Sequence, residues 1–275
     1  MAAMDGKICL VTGATAGIGE VAARALAAQG ATVIVHGRDK AKADAVKASM
    51  GGKTETLIAD LSSLADVRRA AAEFRSRFDT LDVLLNNAGA INSERKLSKD
   101  GLELTFAVNH LAHFLLTREL RPLLEKTPGA RIVNVASEAS KSPFALDLDD
   151  LQTEKRYFGW KAYARSKRAN ILFSSELARR LPAGITSNAL HPGPIASNFA
   201  QNSWWMGPAW KLLRPFLLTT VQGADTSIWL ASAPEAAGIT GKYFFRRREI
   251  TPVQQARDPE LARKLWDASE RLVGT

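Results

Sequence analysis

The stretch KICLVTGATAGIGEVAARALAAQGATVIVHGRDK, Lys7 to Lys40, decides how the chain folds. Lys7–Thr12 has the aliphatic, β-branched content of a buried strand. It runs into TGATAGIG, Thr12 to Gly19, and from Gly17 to Gln29 apolar residues recur at helical spacing. A second strand pattern, Thr32–His36, follows. Strand, glycine-rich turn, helix and strand make a βαβ unit with parallel strands. Gly13 permits the tight turn. Gly17 and Gly19 let backbone approach a ligand closely and let helix pack on sheet. The helix start then offers unpaired N–H groups to an anion such as a pyrophosphate.

The alternation continues to the end of the chain. Further strands are expected at Thr54–Ala59, Asp82–Asn86, Arg131–Ala136, Thr186–His191 and Lys242–Phe245. Helices are expected at Lys40–Ser49, Leu64–Phe78, Leu102–Lys126, Ala162–Leu181, Val221–Ala231 and Pro259–Leu272. No linker rich in Pro, Gly or Ser interrupts the chain, and no repeat is present. The expectation is one doubly wound α/β domain over residues 1–275, a seven-stranded, mainly parallel sheet with helices on both faces. Residues 195–220, with SWWMGPAWKLLRPFLL inside them, break the alternation and are expected to cover the substrate as a lid.

Composition excludes several classes. The 275 residues are 46% hydrophobic and 24% charged, as in soluble globular proteins. The single cysteine, Cys9, lies in an apolar run and reads as a buried small hydrophobe, so nothing argues for an oxidising compartment. The N-terminus lacks a signal-peptide pattern, and no run of about 18 uncharged apolar residues occurs. A cytoplasmic chain without a membrane span is expected. The formal charge of +9 suits phosphate-bearing ligands. Basic residues are scattered except at Arg246-Arg247-Arg248, so nucleic acid is not expected. No Cys or carboxylate at ligand spacing joins His110 and His113, so no metal is expected either.

The second strand end refines the ligand. Chains that hold NAD usually place an acid about 20 residues after the glycines, on the ribose 2′-OH. Here that place reads His36-Gly37-Arg38. The carboxylate is gone and a planar, always-charged guanidinium stands next to its position. The pattern favours NADP(H), with NAD(H) as the alternative and a solvated Arg38 as the bland reading. Asp60, at the end of the third strand, suits the adenine amino group or an N-cap near Ser62 and Ser63.

Polar residues recur at the ends of later elements. Asn86-Asn87-Ala88-Gly89 closes the fourth strand, and Asn109 lies inside the long helix in VNHLAHFLLT. RIVNVAS ends in Ser137, YARSK puts Tyr163 and Lys167 on one helix face, and HPGPIAS carries Pro192-Gly193. In this order, from about Asp5 to Gly274, the chain resembles the short-chain dehydrogenase/reductase family, whose nucleotide-binding domain has the Rossmann fold. VNHLAHFLLT, DLQTEKRY, ANILFSSELARRL and GKYFF make it most similar to the branch of retinol dehydrogenases and WW-domain oxidoreductases. Members of that branch often carry a membrane anchor or accessory domains, and neither is expected here.

The resemblance implies roles. Tyr163 would donate and accept the proton of an alcohol/carbonyl pair, Ser137 would hold the substrate oxygen, and Lys167 would favour phenolate and hold the nicotinamide ribose. Asn109 would fix a relay water. Cofactor contacts would come from Gly13, Thr15, Gly17, Ile18, Gly19, Arg38, Asp60, Leu61, Asn87, Ala88, Gly89, Tyr163, Lys167, Pro192, Gly193 and Ile195. Lys161 and Arg165 read as surface charges, and Asp147, Asp149 and Asp150 as a solvated loop face. His191 reads as a strand-end residue. Trp204, Trp205 and Trp210 imply a bulky apolar substrate or a greasy lid, and Lys211 and Arg214 beside them allow a membrane-surface patch. The resemblance leaves pairing of copies through the helices around Asn109 and Tyr163 open. A non-catalytic dinucleotide-binding regulator on the same fold is the alternative function. Such regulators tend to lose the tyrosine or lysine, which this chain keeps.

Overall fold

In the computed structural model, residues 3–195 and 217–274 are described. The strands are β1 (Ile8–Val11), β2 (Thr32–Gly37), β3 (Thr54–Ile58), β4 (Val83–Asn86), β5 (Arg131–Val135), β6 (Thr186–Leu190), β7 (Tyr243–Phe245) and β8 (Arg248–Glu249). They form one sheet in the order β3-β2-β1-β4-β5-β6-β7-β8. All pairs are parallel except β7 with β8. The order reverses between β1 and β4, and ligands of such sheets bind at the strand ends beside that switch point.

Side-chain alternation builds two cores. Leu10, Ile34, Leu84 and Ile132 point to one face, while Cys9, Val11, Val33, Val35, Leu85 and Val133 point to the other. The first face is covered by α3 (Leu64–Arg77), α5 (Ala112–Lys126), α6 (Gly159–Arg180) and α8 (Pro259–Val273). The second is covered by α1 (Gly17–Ala28), α2 (Lys40–Met50) and α7 (Thr220–Ser232). A short helix α4 (Leu104–Phe106) leads into α5 through a π turn, Ala107–Leu111.

Two features depart from the expectation. The sheet has an eighth strand, because the chain turns back after β7 through Arg246 and Arg247. Both residues take positive φ, 49° and 60°, as a tight hairpin requires; neither is the usual Gly or Asn. The long helix is also not α-helical throughout. Its π turn falls on Ala107–Leu111, around Asn109. Residues 196–216, which include Trp204, Trp205, Trp210, Lys211 and Arg214, lie outside the described residues. The flanks of this segment meet in a single parallel bridge between Ile195 and Leu218, with Leu218 N–H donating to the Pro194 carbonyl at 2.8 Å.

Candidate active site

The glycine-rich turn leaves donors unused. α2, α3, α7 and α8 begin under side-chain caps from Asp39, Ser63, Thr219 and Asp258. α1 begins at Ala16, in extended backbone, with no side-chain cap. Its first N–H groups are therefore unsatisfied by side chains, the condition under which a helix start holds an anion. Gly17, at φ 63°, has open space where a Cβ would stand. Gly13, at φ 65°, has none: a Cβ there would lie 2.9 Å from Ala88 Cα. The turn is thus open toward the cleft and closed toward the fourth strand, which fits a bound dinucleotide. His36 supports it from behind, its Nδ1 accepting from Gly13 N–H at 3.3 Å.

The second strand end shows why Gly37 is a glycine. A Cβ there would collide with Thr15 Cγ2. Gly37 therefore makes room for the glycine-rich turn, as well as omitting a carboxylate. Arg38 is exposed, and no hydrogen bond or ion pair holds it among the described residues. Asp60 is committed locally: it accepts from Ser62 N–H and Oγ–H at 3.0 and 2.8 Å and lies 3.4 Å from Lys99 Nζ. The N-cap of α3 is Ser63. Leu61 is buried beside it. Gly193, at φ 86°, leaves no room for a Cβ against Leu218 and Phe245. His191 donates its backbone N–H to Phe244 O and stacks its ring on Phe245, centroids 4.2 Å apart.

Four polar side chains converge at the carboxyl ends of β4 and β5. Ser137 caps the 3₁₀ turn Glu138–Lys141 by accepting from Ala139 N–H at 3.2 Å, and it also hydrogen-bonds Tyr163. Tyr163 is buried, and burial pushes its phenol up to about 12, partly opposed by the bond with Ser137. Lys167, one turn on, donates to the Val135 carbonyl at 2.9 Å and lies 5.8 Å from the Tyr163 ring centroid. Burial lowers its ammonium to about 8. Burial therefore outweighs any help Lys167 gives the phenolate in this state.

Asn109 joins the loop after β4 to α6. Its Oδ1 accepts from Ala90 N–H at 2.7 Å, and its Nδ2 donates to Ala90 O and Ser166 Oγ, both at 2.9 Å. The side chain clamps the loop after β4 with both Nδ2 protons and one lone pair of Oδ1. The other end of that loop is held by Thr12. Its Oγ1 accepts from Asn87 N–H and Ala88 N–H at 2.8 and 3.0 Å. Below the site, Asn86 donates to Thr117 and Asn134, and Asn134 donates to Ser174, tying β4 and β5 to their covering helices. Sequence reading missed these supports, since buried polar residues on apolar elements look like core positions until their partners are known.

Two charges are misplaced by the sequence reading. Arg165 is buried, 3.2 Å from Asp150, and also donates to Ala145 O and Asp150 O. Asp150 is buried too, accepting from Glu154 N–H and Lys155 N–H. The pair fixes the loop before α6 instead of facing solvent. Asp147 and Asp149 remain accessible, and Lys161 donates to Lys155 O.

With this geometry, the sequence similarities fall into place. A family model for short chain dehydrogenases matches residues 7–148. The chain belongs to that family. It is 40% identical over 294 residues to retinol dehydrogenase 14 of Homo sapiens, covering 98% of this chain and 87% of the relative. It is 41% identical to the WW domain-containing oxidoreductase of Danio rerio, covering 98% and 69%. A solved Mycobacterium paratuberculosis protein superposes with TM-score 0.80 at 34% identity, covering 98% and 94%. So do 3-ketoacyl-(acyl-carrier-protein) reductase of Brucella melitensis complexed with NADH (0.69, 28%, covering 87% and 96%) and the RhlG/NADP complex of Pseudomonas aeruginosa (0.72, 26%, covering 95% and 98%).

Proposed function

We propose that the chain is an NADP(H)-dependent oxidoreductase that interconverts an apolar alcohol and its aldehyde or ketone, with Tyr163 as acid and base. The meeting of Tyr163, Ser137 and Lys167 after β5, at the same carboxyl edge of the sheet from which α1 starts uncapped, carries this reading. The dinucleotide, when bound, supplies or accepts the hydride. Tyr163 gives its proton to the oxygen that gains negative charge, and Ser137 hydrogen-bonds the same oxygen. A phenol held up to about 12 is protonated at neutral pH, so carbonyl reduction is the direction in which it is competent as found. The glycine-rich turn and the N–H groups of α1 hold the pyrophosphate, and Lys167 holds ribose hydroxyls.

Solved relatives bind NADH in one case and NADP in another, so the fold alone does not select the cofactor. Selection falls to the end of β2. Gly37 presents no carboxylate, and the free Arg38 guanidinium offers a bidentate, charge-assisted donor set to a 2′-phosphate. An apolar alcohol is the substrate class because the similar retinol dehydrogenase is named for one.

A screen of NADPH and NADH oxidation over aldehydes and ketones of graded size tests the reaction. On the best substrate, Tyr163→Phe is expected to keep NADPH binding and lose ~10²–10⁴-fold in kcat, the usual worth of a general acid. An unchanged rate would sink the mechanism. Arg38→Ala is expected to weaken NADPH about ten- to hundred-fold and leave NADH alone, since a hydrogen bond to a charged group contributes about 1.5–3 kcal/mol. An unchanged affinity ratio would leave Arg38 a solvent residue.

A further inference from the structure

His113 is fully inside the molecule, at the start of α5, one helical turn after Asn109. Its Nδ1 lies 3.1 Å from the Asn109 main-chain carbonyl, and its Nε2 lies 3.0 Å from Thr12 Oγ1. The carbonyl can only accept, so the proton sits on Nδ1. The neutral ring then has a bare lone pair on Nε2, and Thr12 must donate to it. Thr12 has one hydroxyl proton. The Leu85 carbonyl, 3.3 Å away, competes for it, but that carbonyl already accepts Thr12 N–H at 3.0 Å and loses nothing.

The assignment satisfies every partner. Thr12 Oγ1 gives its proton to His113, and its two lone pairs accept Asn87 N–H and Ala88 N–H. A charged imidazole would put a second donor on Nε2, aimed at an oxygen whose lone pairs are taken. Burial, joined by the Lys167 charge, disfavours that form and lowers His113 to about 3. The hydrogen bonds close a ring. Thr12 holds Asn87 and Ala88; the loop runs on to Ala90; Ala90 is clamped by the Asn109 side chain; the Asn109 carbonyl takes His113; and His113 returns to Thr12.

We propose that His113 is a positioning residue for the dinucleotide pocket. Held as the neutral Nδ1–H tautomer, it locks the Asn109 turn to the Thr12 hydroxyl, and so fixes the Asn87–Ala90 loop that floors the pocket. The role rests on the reading above that this cleft holds a dinucleotide. It passes through backbone positions, and His113 itself touches neither cofactor nor substrate.

Two measurements on the full chain decide it. NADPH dissociation constants are measured for wild type, Thr12→Val, His113→Phe and the double variant. His113→Phe is expected to weaken NADPH about tenfold, the scale of one broken buried hydrogen bond, and Thr12→Val at least as much, because it also removes the acceptor of Asn87 N–H and Ala88 N–H. The double variant is expected to be no weaker than Thr12→Val. Losses that multiply would make the two residues independent and overturn the proposal. His113→Gln keeps one donor and one acceptor, and is expected to stay near wild-type affinity; a loss equal to that of Phe overturns it as well. The second measurement is the ¹⁵N spectrum of His113 in wild type without ligand. A protonated Nδ1 and bare Nε2, unchanged from about pH 5.5 to 8.5, are expected; the opposite tautomer, or titration in that range, overturns the assignment. If wild type binds no dinucleotide, the functional reading fails while this spectrum still decides the tautomer.

Discussion

Lys167 is 3% exposed, and among the described residues its ammonium donates to the Val135 carbonyl. Burial brings its pKa from 10.5 to about 8. The folded chain therefore binds this proton less tightly than the unfolded chain does. The charge costs stability below about pH 8, and the cost fades as pH rises toward 10.5. A tenfold weaker hold on a proton corresponds to about 1.4 kcal/mol. Lys167→Met keeps the length and removes the charge, and Val135 O retains Asn170 Nδ2 at 3.3 Å. Without dinucleotide, this variant is expected to be more stable than wild type by about 3 kcal/mol at pH 7. Denaturant titrations at several pH values check it, and the advantage must vanish by the pH at which a free lysine is neutral. A variant less stable at pH 7 would show that the ammonium is kept for its contacts and not for the reaction. The sequence shows Tyr163 and Lys167 four residues apart, but not the burial that raises one pKa and lowers the other.

At the scale of elements, α1 is the informative case. Five other helices start under a side-chain oxygen; α6 starts under Phe158 without one, and α1 starts under Ala16, exposed and in the extended backbone an N-cap needs. If the missing cap is kept missing for an anion, supplying one must trade affinity for stability. Ala16→Asp is expected to stabilise the ligand-free chain by about 1 kcal/mol, the usual worth of a cap. It is also expected to weaken NADPH at least tenfold, because the carboxylate takes the N–H groups and repels the pyrophosphate. Calorimetry with and without NADPH measures both; a stabilised variant with undiminished affinity would remove the pyrophosphate from α1. This element was legible because strand, glycines and helix are adjacent in the chain. The π turn was not: apolar spacing runs through Leu102–Lys126 without a break, and only the hydrogen bonds show the widened turn around Asn109. β8 was hidden for another reason, since Arg246 and Arg247 adopt left-handed backbone without the residue types that signal it. Arg165 and Asp150 read as surface charges because a buried ion pair has no sequence signature; it appears only when α6 meets the loop before it.

Over the whole molecule, the carboxyl-terminal helix joins parts that are far apart in the chain. α8 lays Trp266 against Phe114 of α5 and Phe173 of α6, with ring centroids 4.8 and 5.9 Å away, and Arg180 stands 4.5 Å over the indole. Glu270 pairs with Arg118 at 2.7 Å, and the Val273 carbonyl accepts from Arg68 of α3 at 2.6 Å. Ser269 meets His110, the residue after Asn109, at 2.9 Å. The helix thus seals the apolar sides of α5 and α6, and it touches the turn that carries the candidate site only from behind. Those two facts separate stability from chemistry. Trp266→Ala removes a buried indole and leaves a cavity between helices that cannot fully collapse, so it is expected to cost about 3–5 kcal/mol. Tyr163, Ser137 and Lys167 keep hydrogen bonds that do not involve α8, so kcat per folded molecule is expected to change less than about threefold, under 1 kcal/mol. Urea unfolding gives the first quantity, with the midpoint falling and the slope unchanged. Turnover at a temperature where the variant is folded gives the second. A cost below about 1 kcal/mol would make α8 a loosely attached cover. A large fall in kcat with the fold intact would mean that the contact between Ser269 and His110 carries the position of Asn109, and that the site draws its geometry from the last helix of the chain.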